Sequence, residues 1–146
     1  MPAPAFTVTP VCFAEAEAEI RAIRHEVFVQ GQDVPEPEEW DGLDPHCDHV
    51  VARLPDGTPI GTARLCDGTK IGRMAVRAPW RGVGVGSALL TALVELARHR
   101  GASQCTLAAQ LQAIPFYARH GFQEHGPVFL DAGIEHRQMT RLLGRD

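Results

Sequence analysis

The chain has 146 residues, 45% of them hydrophobic and 22% charged, with a formal net charge of −4. This length suits a single domain, and the composition is that of a soluble globular protein. No apolar run reaches the roughly 18 residues that a membrane span needs. The pI of about 5.9 is too low for a surface that binds nucleic-acid backbone. MPAPAFTVTP at the amino terminus lacks the basic region and apolar core of a secretory signal, so the expected location is cytoplasmic.

In chain order, FTVTPV (6–11) reads as a first strand. A helix follows over Glu15–Val29, with Ile20, Ile23 and Val27 on one face and glutamates in its first turns, where the helix dipole favours them. HVVARL (49–54), IGTARLC (60–66) and KIGRMAV (70–76) are short strands separated by the turns Pro55-Asp56-Gly57 and Asp67-Gly68, the pattern of an antiparallel meander. Apolar residues at Leu89, Leu93, Leu96 and Ala97 predict a helix over Ser87–Arg100. It stops at Gly101, with Arg98, His99 and Arg100 in its last turn. CTLAAQ (105–110) is a short buried strand; a short helix and two final strands complete a mixed α/β chain with no linker or repeat.

The stretch VRAPWRGVGVGS (76–87) joins the third meander strand to the main helix. Its glycines let the backbone turn tightly and approach a ligand, and the helix behind them offers unpaired N–H groups and a positive dipole end suited to phosphate. Gly86 is followed by Ser87 without a lysine, unlike a nucleotide-triphosphate loop, and G-x-G-x-G is not the dinucleotide fingerprint G-x-G-x-x-G. An ordinary glycine-rich connection is the bland reading of the same residues.

Arg-x-x-Gly-x-Gly, from Arg81 to Gly86, resembles the acyl-CoA pyrophosphate loop of the GNAT N-acetyltransferase superfamily. Ala-x-x-Phe-Tyr-x-x-x-Gly-Phe, from Ala113 to Phe122, resembles the segment that follows that family's cofactor-side strand. The front half, RHEVFVQGQDVPEPEEWDGLDPHCDHVVA and IGTARL, together with GIEHRQM (133–139), is similar to the small bacterial subgroup named for ElaA and YjcF. The resemblance covers 50–122 well and the two ends less firmly. It implies the GNAT acyl-CoA N-acyltransferase fold over 1–146: a mostly antiparallel sheet flanked by helices and splayed between two central strands, here 70–76 and 105–110.

What the resemblance implies chemically is transfer of an acetyl group from acetyl-CoA to a primary amine, by direct attack through a tetrahedral intermediate. Met74, Ala75 and Val76 would offer backbone groups to the cofactor, which docks as a pseudo-strand. Arg81, Gly82, Val83, Gly84, Val85, Gly86 and Ser87 would hold the pyrophosphate, with Gln110 and Phe116 also beside the cofactor. Gln110 stands where the family often has asparagine. Tyr117, the chain's one tyrosine, falls where the family's tyrosine sits near the thioester sulfur, and a phenol can give a departing thiolate a proton. A core aromatic is its bland alternative.

A base is needed because an alkylamine, with a pKa near ~10.4, is protonated at neutral pH. Residues 33–48 hold seven acids (Asp33, Glu36, Glu38, Glu39, Asp41, Asp44, Asp48) and no lysine or arginine, and leave eleven acidic against fourteen basic residues elsewhere. That segment would border the acceptor site as a negative rim drawing in a cationic amine, or be a solvated loop. Glu39 and His49 are the candidate bases; Glu135 and His136, near the acceptor end of the last strand by resemblance, rank after them. The four cysteines, at 12, 47, 66 and 105, read as free thiols, and His46-Cys47-Asp48-His49 matches no established zinc pattern, so no metal is expected. The alternative to an enzyme is a domain of the same fold that binds acyl-CoA as a sensor or scaffold. Homodimers are common in the superfamily, though no interface can be read from the residues; neither nucleic acid nor membrane is an expected partner.

Overall fold

The computed structural model describes residues 5–144; the first four residues of the amino-terminal stretch lie outside it. Seven strands form one sheet: β1 (Thr7–Val11), β2 (Asp48–Arg53), β3 (Pro59–Cys66), β4 (Lys70–Val76), β5 (Gln104–Gln110), β6 (Gln123–Asp131) and β7 (Ile134–Leu142), in the spatial order β1-β2-β3-β4-β5-β7-β6. The helices are α1 (Phe13–Arg24), extended by a π-helical turn over His25–Gln30, then α2 (Glu36–Glu39), α3 (Val85–His99) and α4 (Ile114–Arg119). The mixed architecture matches the expectation. The main helix starts two residues earlier than its apolar spacing suggests, because Gly84, at φ +94°, forms its amino-terminal boundary.

The meander forms where Asp-Gly turns supply left-handed residues: Asp67 and Gly68 have φ of +54° and +72°. Strand periodicity then sorts side chains between two helical layers. Val50 and Ala52 of β2 join the core under α3 with Leu65, Leu89 and Leu93, while Val51 faces α1 with Phe13, Ala16 and Ile20. Covered on both faces, β3 is buried along nearly its whole length.

The alternation reverses within β4. Thr62 is the register partner of Ala75, but Arg64 pairs with Gly72, so two β4 residues, Arg73 and Met74, stand against Ala63 alone. This is a β-bulge, with Arg73 at φ +48°. Ile71, before the bulge, belongs to the core beneath α3, whereas Ala75, four residues on, packs with Ile23 and Val27 on the opposite face. An uninterrupted strand would have kept the two on one face.

One expectation is corrected. Cys47 and Cys66 are joined by a disulfide, and only Cys12 and Cys105 are free among the described residues. The register pair Asp48↔Leu65 makes Cys47 and Cys66 the next facing positions, with Cα atoms 4.5 Å apart. Sequence spacing alone gives no sign of that pairing. No helix among the described residues is long and apolar enough to cross a membrane.

α3 rests on β3 through Gly61. A Cβ there would lie 3.1 Å from Leu89 Cδ1, 3.1 Å from Val85 Cγ1 and 3.2 Å from the backbone oxygen of Ala75. The two side chains could shift, but a carbonyl held in the sheet cannot. Gly61→Ala should therefore cost about 1–3 kcal/mol, read as a lower urea midpoint at unchanged slope; an unchanged midpoint would show that α3 has slack against the sheet.

Candidate active site

β4 and β5 run parallel, yet their only register pair among the described residues is Lys70↔Thr106, supported by the Thr106 N–H donating to Thr69 O at 2.9 Å. Beyond it the strands diverge. β5 pairs antiparallel with β7 along its length, and the bulge carries β4 away on the other side. A cavity of about 420 Å³ lies at this divergence. Gly72, Arg73 and Met74 line it from β4, and Leu107, Ala108 and Gln110 from β5. Val27 and Phe28 of the π-helical turn, Glu38 and Glu39 of α2, Tyr117 of α4, and Asp131, Ile134 and His136 of the last hairpin also line it.

The amino terminus of α3 lies beside the end of β4, where a Cβ on Gly86 would be 4.0 Å from Val76 Cγ2. No side chain caps it. The Ala88 N–H donates to Gly84 O, so the N–H groups of Val85, Gly86 and Ser87 precede the first helical hydrogen bond. Gly82 and Gly84 have φ of +77° and +94°, and a Cβ at either would meet nothing within 4 Å. They are glycines for backbone conformation, and the space over them is open. Arg81 donates from Nε to Val76 O at 2.8 Å, which ties its exposed guanidinium to the end of β4. Phe116 lies beneath Gly86, where a Cβ would be 3.5 Å from its ring. Ser87 Oγ is 3.0 Å from His120 Nε2. This cradle of free N–H groups, open space and one arginine fits a pyrophosphate.

Tyr117 is on the cavity wall with its hydroxyl 3.9 Å from Met74 Sδ, across the opening on β4. Its ring packs edge-on against Phe116 and Phe122, with centroids 5.1 and 6.1 Å away. Burial pushes the phenol up to about 12, so it stays protonated and can donate. Gln110 is held by a 2.8 Å hydrogen bond to Gln32, which links the end of β5 to the segment after the π-helical turn.

Much of the acidic segment turns inward instead of forming a rim. Arg24, fully buried at the end of α1, donates to Glu39 Oε1 at 2.6 Å and to Asp44 Oδ1 at 2.7 Å. Arg64 on β3 holds Asp41 at 2.6 Å and Asp44 at 2.8 Å. Arg73, at the bulge, reaches Glu39 and Asp41 at 3.3 Å each, and Asp48 pairs with Arg100 at 2.7 Å. The guanidinium of Arg24 also sits 5.0 Å from the ring centre of Trp40. Burial works against ionised Asp41 and Asp44, but hydrogen bonds from Arg64, and from Arg24 to Asp44, outweigh it and hold both carboxyls below the usual range. At Glu39 burial prevails and raises the carboxyl despite Arg24.

The two candidate bases therefore part company. Glu39 lines the cavity, but it is 3% exposed and its carboxylate is held by Arg24 and Arg73. His49 is not brought to the cavity, which corrects that expectation. It is the second residue of β2, separated from the opening by β3 and β4, with its ring 5.0 Å from Phe13 and Nε2 2.9 Å from Asp44 O. Sequence reading missed Arg24, Arg64 and Arg73 as the partners of the acids, because each pairing spans twenty or more residues or an intervening loop. It ranked His136 low, yet this residue is on the cavity wall.

Asp41 and Asp44 titrate lower in the folded chain than unfolded, so the stability they contribute is complete above the unfolded carboxyl pKa of ~3.9 and is lost as pH falls below it. Urea midpoints measured from pH 6 to pH 2.5 should drop steeply below about pH 4, and Asp44→Asn should lower the midpoint at pH 6 and flatten the slope. An equally steep loss in the variant would assign the acid sensitivity to other carboxyls.

The family model for the acetyltransferase (GNAT) domain matches residues 18–143. Over 124 residues the chain is 43% identical to the uncharacterized N-acetyltransferase YjcF of Bacillus subtilis, an alignment that covers 82% of this chain and 87% of that protein. Among solved structures, an acyl-CoA N-acyltransferase from Pseudomonas aeruginosa aligns with a TM-score of 0.83 at 29% identity, covering 94% of this chain and 99% of its own. Escherichia coli ElaA aligns with a TM-score of 0.83 at 25% identity and the same coverage. With the splayed sheet and the uncapped helix already described, these matches identify the chain as a member of the GNAT acetyltransferase family.

Proposed function

We propose that this protein transfers an acetyl group from acetyl-CoA to a primary amine. The observation that carries the reading is the opening between β4 and β5, with an anion cradle at one end and a half-buried, protonated tyrosine on its wall. In this reading the N–H groups of Val85, Gly86 and Ser87 and the guanidinium of Arg81 receive the pyrophosphate. Gly82, Val83 and Gly84 shape the loop around it. Backbone groups of Met74, Ala75 and Val76, unpaired on the β5 side, receive the amides of the pantetheine arm. Acetyl-CoA would supply a thioester activated toward an amine nucleophile.

Tyr117 is the acid. Its O–H is aimed across the opening at Met74, and a phenol held near 12 gives a hydrogen bond, then a proton, to a thiolate whose parent thiol lies near ~8.5. Phe116 supports both ends, under Gly86 and against the Tyr117 ring. Gln110, bonded to Gln32, fixes the mouth of the cavity.

The test is calorimetric titration with acetyl-CoA, with NAD and ATP as controls, followed by CoA release over a panel of amines. Acetyl-CoA alone should bind. Arg81→Glu should weaken that binding at least about tenfold, because a hydrogen bond to a charged group contributes about 1.5–3 kcal/mol; unchanged affinity would remove the loop from the cofactor site. Tyr117→Phe should lower turnover by about a hundredfold or more at nearly constant affinity, and sustained turnover would return the tyrosine to a packing role. Binding without turnover on any amine would make the domain an acyl-CoA sensor.

A further inference from the structure

The acyl-transfer reading leaves the proton of the incoming ammonium without a destination, since Glu39 is held by two arginines and His49 is elsewhere. The last hairpin supplies one. His136 is more than nine-tenths buried, stands opposite Gln110 in the β5–β7 register and lines the cavity. Its Nδ1 is 2.7 Å from the backbone oxygen of Ile134, two residues back on the same strand. A carbonyl can only accept, so in the neutral ring Nδ1 carries the hydrogen and Nε2 keeps its lone pair. Nε2 has no hydrogen-bond partner among the described residues. The ring is also fixed in orientation, stacked on Phe129 at a centroid distance of 5.8 Å and an interplanar angle of 25°.

A buried imidazole with its tautomer fixed by a backbone carbonyl, its plane by an aromatic ring, and its basic nitrogen unpaired is built to accept a proton. Two carboxylates, Glu38 and Asp131, are exposed on the wall of the same cavity and have no ion-pair partner among the described residues. They face an entering cation from opposite elements, the α2 segment and the last hairpin.

We infer that His136 is the general base of the proposed reaction and that the acceptor it serves is an alkylammonium ion entering between Glu38 and Asp131. This rests on the acyl-transfer reading. The ammonium gives one proton to Nε2. Its nitrogen, now neutral, adds to the thioester carbonyl carbon, and the tetrahedral adduct collapses by breaking the carbon–sulfur bond. Tyr117 gives its proton to the departing sulfur and recovers one from the second N–H, and the imidazolium returns its own to water.

The test compares acceptors that need a base with one that does not. Butylamine, spermidine and lysine are ammonium ions at neutral pH, whereas methoxyamine is a neutral nucleophile. His136→Asn keeps an amide donor for Ile134 O and removes the basic nitrogen. Expected is a loss of about 10²- to 10⁴-fold in kcat/KM with the alkylamines, with methoxyamine transfer and acetyl-CoA affinity nearly unchanged. Equal losses with both kinds of acceptor, or no loss with either, would overturn the role of His136 while leaving acyl transfer intact. Absence of amide formation by the wild-type protein with every acceptor would overturn the acyl-transfer reading, and the base with it. Independently of turnover, the imidazole ¹⁵N spectrum of the wild-type protein should show His136 as the Nδ1–H tautomer; an Nε2–H tautomer would rule it out as a base.

Discussion

The structure depends on a pairing that is not made. β4 and β5 meet at Lys70 and Thr106 and then separate, although parallel neighbours inside a sheet would ordinarily bond along their length. Backbone donors and acceptors left open there would be costly if sealed in a dry core. The divergence is stable because it opens onto a cavity, and each departing strand is held from its other side, β4 by β3 and β5 by β7. A gap bounded by two well-paired half-sheets is a rigid slot, and the residues on its rim inherit that rigidity.

The bulge at Arg73 contributes twice to the slot. It bends β4 away from β5, and it exchanges the faces of the strand so that Ala75 packs under the first helix while Met74 and Val76 join the core beneath α3. A bulky residue at φ +48° is strained, and the ion pairs of Arg73 with Glu39 and Asp41 help to hold it. The buried charges thus have a positional task. Arg24 and Arg64 draw the loop carrying Glu39, Asp41 and Asp44 down onto the sheet, which forms one wall of the cavity and leaves only part of the acidic segment facing solvent.

What could be read in the sequence was what is encoded locally. Asp56-Gly57 and Asp67-Gly68 mark the hairpins because left-handed turns need those residues, and the spacing of Leu89, Leu93 and Ala97 marks α3 because a helix repeats near that period. The turn from Arg81 to Ser87 was legible because its left-handed glycines and the helix start behind them are consecutive residues. The remainder is decided by partners distant in sequence. Nothing near Arg73 announces a bulge, nothing near Asp44 names Arg24 and Arg64, and the tautomer and ring plane of His136 are set by a carbonyl and by Phe129, which only the folded hairpin brings together. Acidic residues at 39, 41 and 44 look like a charged surface until their arginines are located.

The disulfide has a meaning beyond the native sheet. Cys47 and Cys66 are 19 residues apart, and closing a loop of that size removes conformational entropy from the denatured chain equivalent to about 3 kcal/mol of stabilisation. The loop it closes holds the whole of β2 and β3 up to Leu65. Even in the unfolded ensemble these two strands are tethered at the ends where Asp48 faces Leu65, which disfavours slipped registers. Asp44 and Arg64 flank the tether closely, so the oxidised chain carries their proximity with it when every other contact of the core is gone.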